Sequence, residues 1–272
     1  MSETADFYTS WLGCSAFGAV SSRKITVAPP VVFKPTDLSN CSVWFDANNG
    51  DSIITDPFGG YVTNWSNLGT SGGEALNADT SNVVNTGVDT INSLNVLKFN
   101  PYSALVFNWG KVSNTATTFF IVVKPITDLS SINNVQFDLW APYGYNGYWG
   151  MAYAYSTGFS PTPWLSVGVS SGYTVTVCGG NNINPTGNGT LLMLRADATD
   201  LSNNKAEYNG TNMSLVFNAI DYYNQSKITY WIGNTGTSWE YDVAEIIIYD
   251  SVLTDTEVAT VTTYLKDKWA IT

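Results

Sequence analysis

Apolar and polar positions along this chain alternate in short stretches, broken by clusters of Gly, Asn, Ser and Pro such as "PFGG", "TSGG" and "CGGNNINPTGNG". The pattern predicts strands at Ser42–Asp46, Asn95–Phe99, Thr117–Val123, Val135–Trp140 and Trp149–Tyr155. Further strands are expected at Trp164–Val169, Tyr173–Val177, Leu191–Arg195, Lys227–Ile232 and Tyr241–Tyr249. Many short strands at close spacing, with no helical pattern between them, predict an all-β fold built as a two-sheet antiparallel sandwich.

One helical pattern stands apart, in "LTDTEVATVTTYLKDKWAI". Thr254 and Glu257 have the spacing of a capping box, and Asp255 falls in the first turn, where the helix dipole favours a negative charge. Val258, Val261, Leu265 and Trp269 recur on one face, and Lys266 with Lys268 suit the C-terminal end. The helix is expected to lie against the sandwich with Trp269 as its anchor. At the other end, residues 1–36 read as an extended N-terminal arm. Pro29, Pro30 and Pro35 favour extended, semi-rigid backbone there. Residues 37–272 then form a single domain. A polar terminal arm is ordered only when something holds it, so docking on the domain, a sister subunit or a larger assembly is expected.

Composition narrows the chemistry. Charged residues make up only 12% of the 272, about half the usual share, and the formal net charge is −11. The 11 basic residues are scattered, with no run suited to a phosphate backbone or an anionic membrane, so neither nucleic acid nor a membrane surface is an expected partner. No stretch has the length and apolarity of a membrane span. The chain has no histidine, which excludes Ser-His-Asp and Cys-His nucleophilic sites and every His-ligated metal site. Cys14, Cys41 and Cys178 are an odd number at wide spacings and spell no disulfide framework; buried free thiols are the simpler reading, one disulfide with a spare thiol the other. Glu3 and Asp6 stand where a secretion signal has its basic segment, so an extracellular location would require a non-classical route.

The C-terminal "AEIIIYDSVLTDTEVATVTTYLKDKWAI" resembles the closing strand and helix of concanavalin A-like, LamG-type jelly-roll domains. The opening "VWFDANNGDSI" and the later "GGYVTNWSNLGTSGG" resemble the first strands of that family. The resemblance brackets Ser42–Thr272 and implies a jelly-roll sandwich. The family includes lectins, glucanases, adhesins and virion surface proteins, so fold alone assigns no role.

Three candidate sites emerge. In "WEYDVAEIIIYD", Glu240, Asp242 and Glu245 have the E-x-D-x-x-E spacing that resembles the catalytic motif of laminarinase-type glycoside hydrolases. A retaining glycosidase needs two carboxyl groups about 5–5.5 Å apart. Regular strand parity places Glu240 and Asp242 on one face, expected to be solvated, and turns Glu245 away unless a β-bulge restores it. The family resemblance also implies a non-catalytic place for Glu245, in the closing strand. Second, "DANNGDS" offers Asp46, Asn48 and Asp51 as oxygen ligands for Ca²⁺, although such sequences usually make plain turns. Third, Tyr143, Tyr145, Tyr148, Trp149, Phe159 and Trp164 crowd one aromatic, Gly- and Pro-rich stretch, of a kind used at sugar or protein interfaces. Within its strand, Trp149, Met151, Tyr153 and Tyr155 alternate with Gly150, Ala152 and Ala154, and the bulky row is expected to fill the core.

These readings lead to a non-enzymatic structural or recognition protein. The first expectation is a virion surface or capsid-associated component, homo-oligomeric or assembled through its arm, with a glycan or host receptor as partner. The alternatives are a free lectin-like carbohydrate-binding module and a laminarinase-type hydrolase using Glu240 and Glu245.

Overall fold

The computed structural model describes residues 32–77, 82–109, 116–125, 134–140, 151–156, 164–169, 174–179, 189–197, 199–215, 228–233 and 240–272. From Phe33 onward they belong to one compact unit, Phe33–Thr272.

The first strands are β1 (Cys41–Asp46), β2 (Ile53–Thr55), β3 (Val62–Ser66), β4 (Glu74–Asn77), β5 (Val84–Ile91), β6 (Leu94–Phe99) and β7 (Ala104–Trp109). Then come β8 (Ala116–Pro125), β9 (Asn134–Trp140), β10 (Met151–Ser156), β11 (Trp164–Val169) and β12 (Thr174–Gly179). The chain closes through β13 (Thr190–Asp197), β14 (Lys205–Tyr208), β15 (Thr211–Asn212), β16 (Ser214–Leu215), β17 (Ile228–Gly233) and β18 (Tyr241–Tyr249), followed by helix α1 (Asp255–Trp269). Every strand expected from the alternation overlaps an observed one. The expectation missed β2 to β5, β7 and β14 to β16, most of which are short or carry no clean apolar face.

The strands form two antiparallel sheets. The first runs β15-β14-β13-β8-β18-β6-β5, with β1 also paired to β18; the second runs β16-β12-β11-β10-β9-β17-β7-β4-β3-β2. This is the two-sheet β-sandwich with one C-terminal helix that the sequence predicts. Between the sheets lies a core containing Phe45, Trp65, Phe107, Phe119, Ile121, Val243, Ile246 and Ile248. The Phe45 ring lies 5.0 Å from those of both Trp65 and Phe107, within the range of favourable aromatic contact.

A second apolar layer forms on the outer face of the first sheet, where Phe120, Val122, Met193, Ile247 and Tyr249 meet Val258, Val261, Leu265 and Trp269 of α1. Strand β18 therefore has a buried environment on both sides, and all nine of its residues are buried. That is why its sequence reads as a nearly unbroken apolar run. Helix α1 begins with the expected reciprocal cap: Thr254 Oγ1 accepts from Glu257 N, and the Glu257 carboxylate accepts from Thr254 N. It ends at Ala270, which adopts a left-handed conformation.

The segment before β1 is tied to the same layer. Phe33 meets Tyr264 edge-on at 5.6 Å, Pro35 is buried, and Tyr249 Oη donates to Pro35 O at 3.0 Å. The free edge of β1 is covered by the turn after β3. Trp44 N donates to Asn67 Oδ1, Leu68 N to Trp44 O, and Ser71 N to Ser42 O. Covering the edge in this way removes unpaired groups that could recruit another strand. Among the described residues no helix is long and apolar enough to cross a membrane.

Candidate functional site

Asp242 and Glu245 of the E-x-D-x-x-E motif lie on β18, Glu240 stands just before it, and one local irregularity decides their geometry. Strand β18 slips register against β8 between Val243 and Glu245. Tyr241 and Val243 belong to the inter-sheet core, as do Ile246 and Ile248, whereas Ala244, Ile247 and Tyr249 face the helix layer. The bulge thus reverses parity, and Asp242 and Glu245 both come to the outer face. Regular alternation had separated them.

Sharing a face does not make them a catalytic pair. Glu245 is 1% exposed and lies under α1. Its Oε1 accepts from Trp44 Nε1 and Tyr264 Oη, each at 2.8 Å. Its Oε2 accepts from Lys268 Nζ and Trp269 Nε1, each at 2.7 Å. Burial pushes the Glu245 carboxyl upward from its ordinary pKa, and the Lys268 ammonium pulls against that. A carboxylate sealed from solvent, with both oxygens given to internal donors, has no approach for a sugar. Glu240 is partly exposed and pairs with Lys98 at 3.0 Å. Asp242, which strand parity alone places on a solvated face, is instead buried. Its side chain is fully buried, with Lys124 Nζ 3.8 Å from its Oδ2.

The residues proposed for Ca²⁺ serve the turn and the helix. Asp46 Oδ1 accepts from Asn48 N at 3.0 Å, and Asp46 Oδ2 pairs with Lys268 Nζ at 2.7 Å. Asn48 Oδ1 accepts from Asn95 N, and Asp51 is exposed, donating its N–H to Asn49 Oδ1. Of the three candidate ligands, Asp46 meets the Lys268 ammonium. Among the described residues no three His, Cys, Asp or Glu side chains gather as a metal site. Cys41 is a buried free thiol, pushed up to about 12 by burial first and then by the Glu245 and Asp250 charges.

Of the aromatic candidates, Tyr143, Tyr145, Tyr148, Trp149 and Phe159 lie outside the described residues, and Trp164 opens β11. Register places Trp164 in a wider arrangement on the second sheet. Leu105 and Phe107 of β7 are core residues, so Val106 stands on the outer face. Across neighbouring strands its row runs Ile54–Asn64–Leu76–Val106–Trp231–Trp140. Ile54 is 51% exposed and Leu76 47%. Along β9, Asp138 and Gln136 share that face with Trp140. Their rows continue as Asp138–Ala152–Ser166 and Gln136–Ala154–Trp164. Trp231, Trp140 and Trp164 therefore stand on one face, with Ala152, Ala154, Ser166, Asp138 and Gln136 among them. Trp140 and Trp164 are about 13 Å apart along the strands and about 10 Å across them. The alternate row, Met151–Leu139–Ile232–Leu105, leads into the core. Sequence alternation alone separated Ala152 and Ala154 from Met151 and Tyr153; it held no sign that Trp140 and Trp231 join Trp164.

Comparison with solved structures places the fold among known sandwiches. The receptor-binding domain of botulinum neurotoxin type G aligns with a TM-score of 0.52 at 13% identity, over 83% of this chain and 51% of that one. The chain spans about half the length of that receptor-binding domain. Domain 4 of AbnA, a GH43 extracellular arabinanase from Geobacillus stearothermophilus solved with arabinotriose, aligns with a TM-score of 0.57 at 15% identity, over 82% of this chain and 98% of the domain. A Trypanosoma rangeli sialidase aligns at 0.52 and 13% identity, over 92% of this chain and 36% of the enzyme. The sequence matches no protein-family model, and a search of curated proteins also returns no match.

Proposed function

We propose that this chain is a non-enzymatic carbohydrate-binding β-sandwich whose glycan lies across the outer face of the second sheet. The observation that carries the reading is the placement of Trp231, Trp140 and Trp164 on one face of that sheet, with Ala152, Ala154 and Ser166 between them. Sugar rings present flat C–H faces that pack on indole, while their hydroxyls need a few polar partners, and Asp138 and Gln136 stand on the same face. On the first sheet, α1 packs against the corresponding outer face. The arabinanase domain was solved with arabinotriose and is matched over 98% of its length, which supports this reading over that of a virion surface component. The hydrolase alternative is disfavoured by the sealing of Glu245.

The test is a glycan array that includes arabinotriose, followed by calorimetry on each hit with Trp164→Ala, Trp231→Ala and the double variant. Binding that weakens at least tenfold in each single variant and vanishes in the double, with circular dichroism unchanged, supports the assignment. Binding that survives the double variant moves the site elsewhere.

A further inference from the structure

Asp242 is the unusual buried group of this fold. It stands opposite Lys98 on β6 and Lys124 on β8, yet both lysines have nearer partners. Lys98 Nζ lies 3.0 Å from Glu240, just before β18. Lys124 Nζ donates to Asp89 Oδ1 at 3.1 Å and comes no closer than 3.8 Å to Asp242 Oδ2. Neither Asp242 oxygen receives a hydrogen bond, although the side chain is fully buried. A carboxylate in that position carries the full cost of desolvation.

A second carboxyl shares its lysine neighbour. Strand β5 breaks register with β6 between Thr86 and Thr90, and Gly87 takes the left-handed φ of 73° that the bulge requires. This irregularity brings Asp89 to Lys124, whose Nζ lies 3.1 Å from Asp89 Oδ1 and 3.8 Å from Asp242 Oδ2, so the two carboxyls meet at one ammonium. Burial, then the Asp89 charge, pushes Asp242 up to about 7, with Lys124 and Lys98 opposing. Asp89 itself is held below the ordinary range: its slight burial acts upward but is outweighed by the Thr90 N–H and Lys124. From α1, Lys268 is engaged by Asp46 and Glu245.

We propose that Asp242 and Asp89 are a proton-sharing carboxyl pair that latches the β5 bulge onto the first sheet. When protonated, Asp242 Oδ–H donates to the Asp89 carboxylate and the bulge is fastened. When Asp242 ionises, two anions face each other with Lys124 between them, and the segment from Thr86 to Thr90 loosens. The direction follows from Asp242 holding its proton more tightly folded than unfolded. The stabilising contribution is complete below the ordinary carboxylate pKa, declines as pH rises through the window up to about 7, and is flat beyond it.

The experiment is a carboxyl-carbon NMR titration of the full chain, with Asp242 assigned by Asp242→Asn, combined with amide exchange at Val88–Thr90. In the parent protein Asp242 titrates near neutrality, and Asp89→Asn lowers its midpoint by relieving the like charge. Exchange at Val88–Thr90 accelerates above neutrality by more than base catalysis alone provides. In Asp242→Asn, whose amide donates to Asp89 at every pH, the excess disappears. A midpoint in the ordinary carboxylate range, one that ignores Asp89→Asn, or exchange that follows base catalysis alone in the parent protein overturns the latch. All three readings come from proteins with conservative changes or none, so misfolding cannot imitate them.

Discussion

Glu245 Oε2 and Trp269 Nε1 lie 2.7 Å apart, joining the closing strand to the last residue of the closing helix. The same oxygen accepts from Lys268, which also reaches Asp46 at the end of β1. One carboxylate therefore gathers β1, β18 and α1 into a single buried network. Removing it leaves Lys268 with Asp46 as its one carboxylate partner and leaves the Trp44 and Trp269 N–H groups and the Tyr264 hydroxyl without their acceptor. Glu245→Ala is expected to cost about 3–5 kcal/mol, in the range for breaking a buried ion pair. Glu245→Gln keeps the shape and one acceptor oxygen and should cost less, about 1–3 kcal/mol. Urea unfolding followed by tryptophan fluorescence measures both, and equal costs would mean that packing dominates over the network.

The start of α1 provides a smaller, separable effect. Thr254→Ala removes the acceptor for Glu257 N while the apolar face of the helix stays in place. The expected loss is about 1 kcal/mol, read as a lower urea midpoint at constant slope.

Gly69 marks where the turn after β3 presses on β1. A Cβ at this position would lie 2.5 Å from Ser42 O and 2.8 Å from Val43 N, both backbone atoms of a paired strand. Gly69→Ala should therefore displace the covering turn and destabilise by about 1–3 kcal/mol. Amide exchange at Ser42–Trp44 would show whether the edge of β1 has opened.

Acid stability should report on Arg195. This buried side chain donates Nε to Asn203 O and Nη1 to both Leu253 O and Asp255 Oδ1, so that β13 grips the start of α1. The Arg195 hydrogen bond, then its charge, holds Asp255 below the ordinary carboxylate pKa. A depressed folded pKa gives stability that is present above the unfolded value and lost as pH falls through the folded one. The melting temperature of the parent protein should exceed that of Asp255→Asn at neutral pH, with the gap closing in acid. A gap constant from neutral pH to strong acid would show that the ion pair contributes nothing.

The motif that spelled a catalytic site shows how far sequence reading reached. The spacing of Glu240, Asp242 and Glu245 and the need for a bulge to align the last of them were both legible. Whether the bulge exists depends on how β18 pairs with β8, whose Val122 and Val123 lie more than a hundred residues away in the chain. The burial of Asp242 was not legible, because strand parity alone places it on a solvated face. Trp140, Trp164 and Trp231 each fell within an expected strand, but only the pairing of β17 with β9 and of β10 with β11 brings them onto one face.

By itself the sequence determined what neighbouring residues decide together: the alternating strands, the turns between them, and the helix with its cap and apolar stripe. It also limited the chemistry through its missing histidines and sparse charges. The tertiary structure decided which carboxylates are sealed, which face α1 covers and which face carries the tryptophans. The physical reason is that a strand's period of two assigns sides only within that strand. Register and bulges relate one strand's sides to another's, and they are set by pairing energies between segments far apart in the chain.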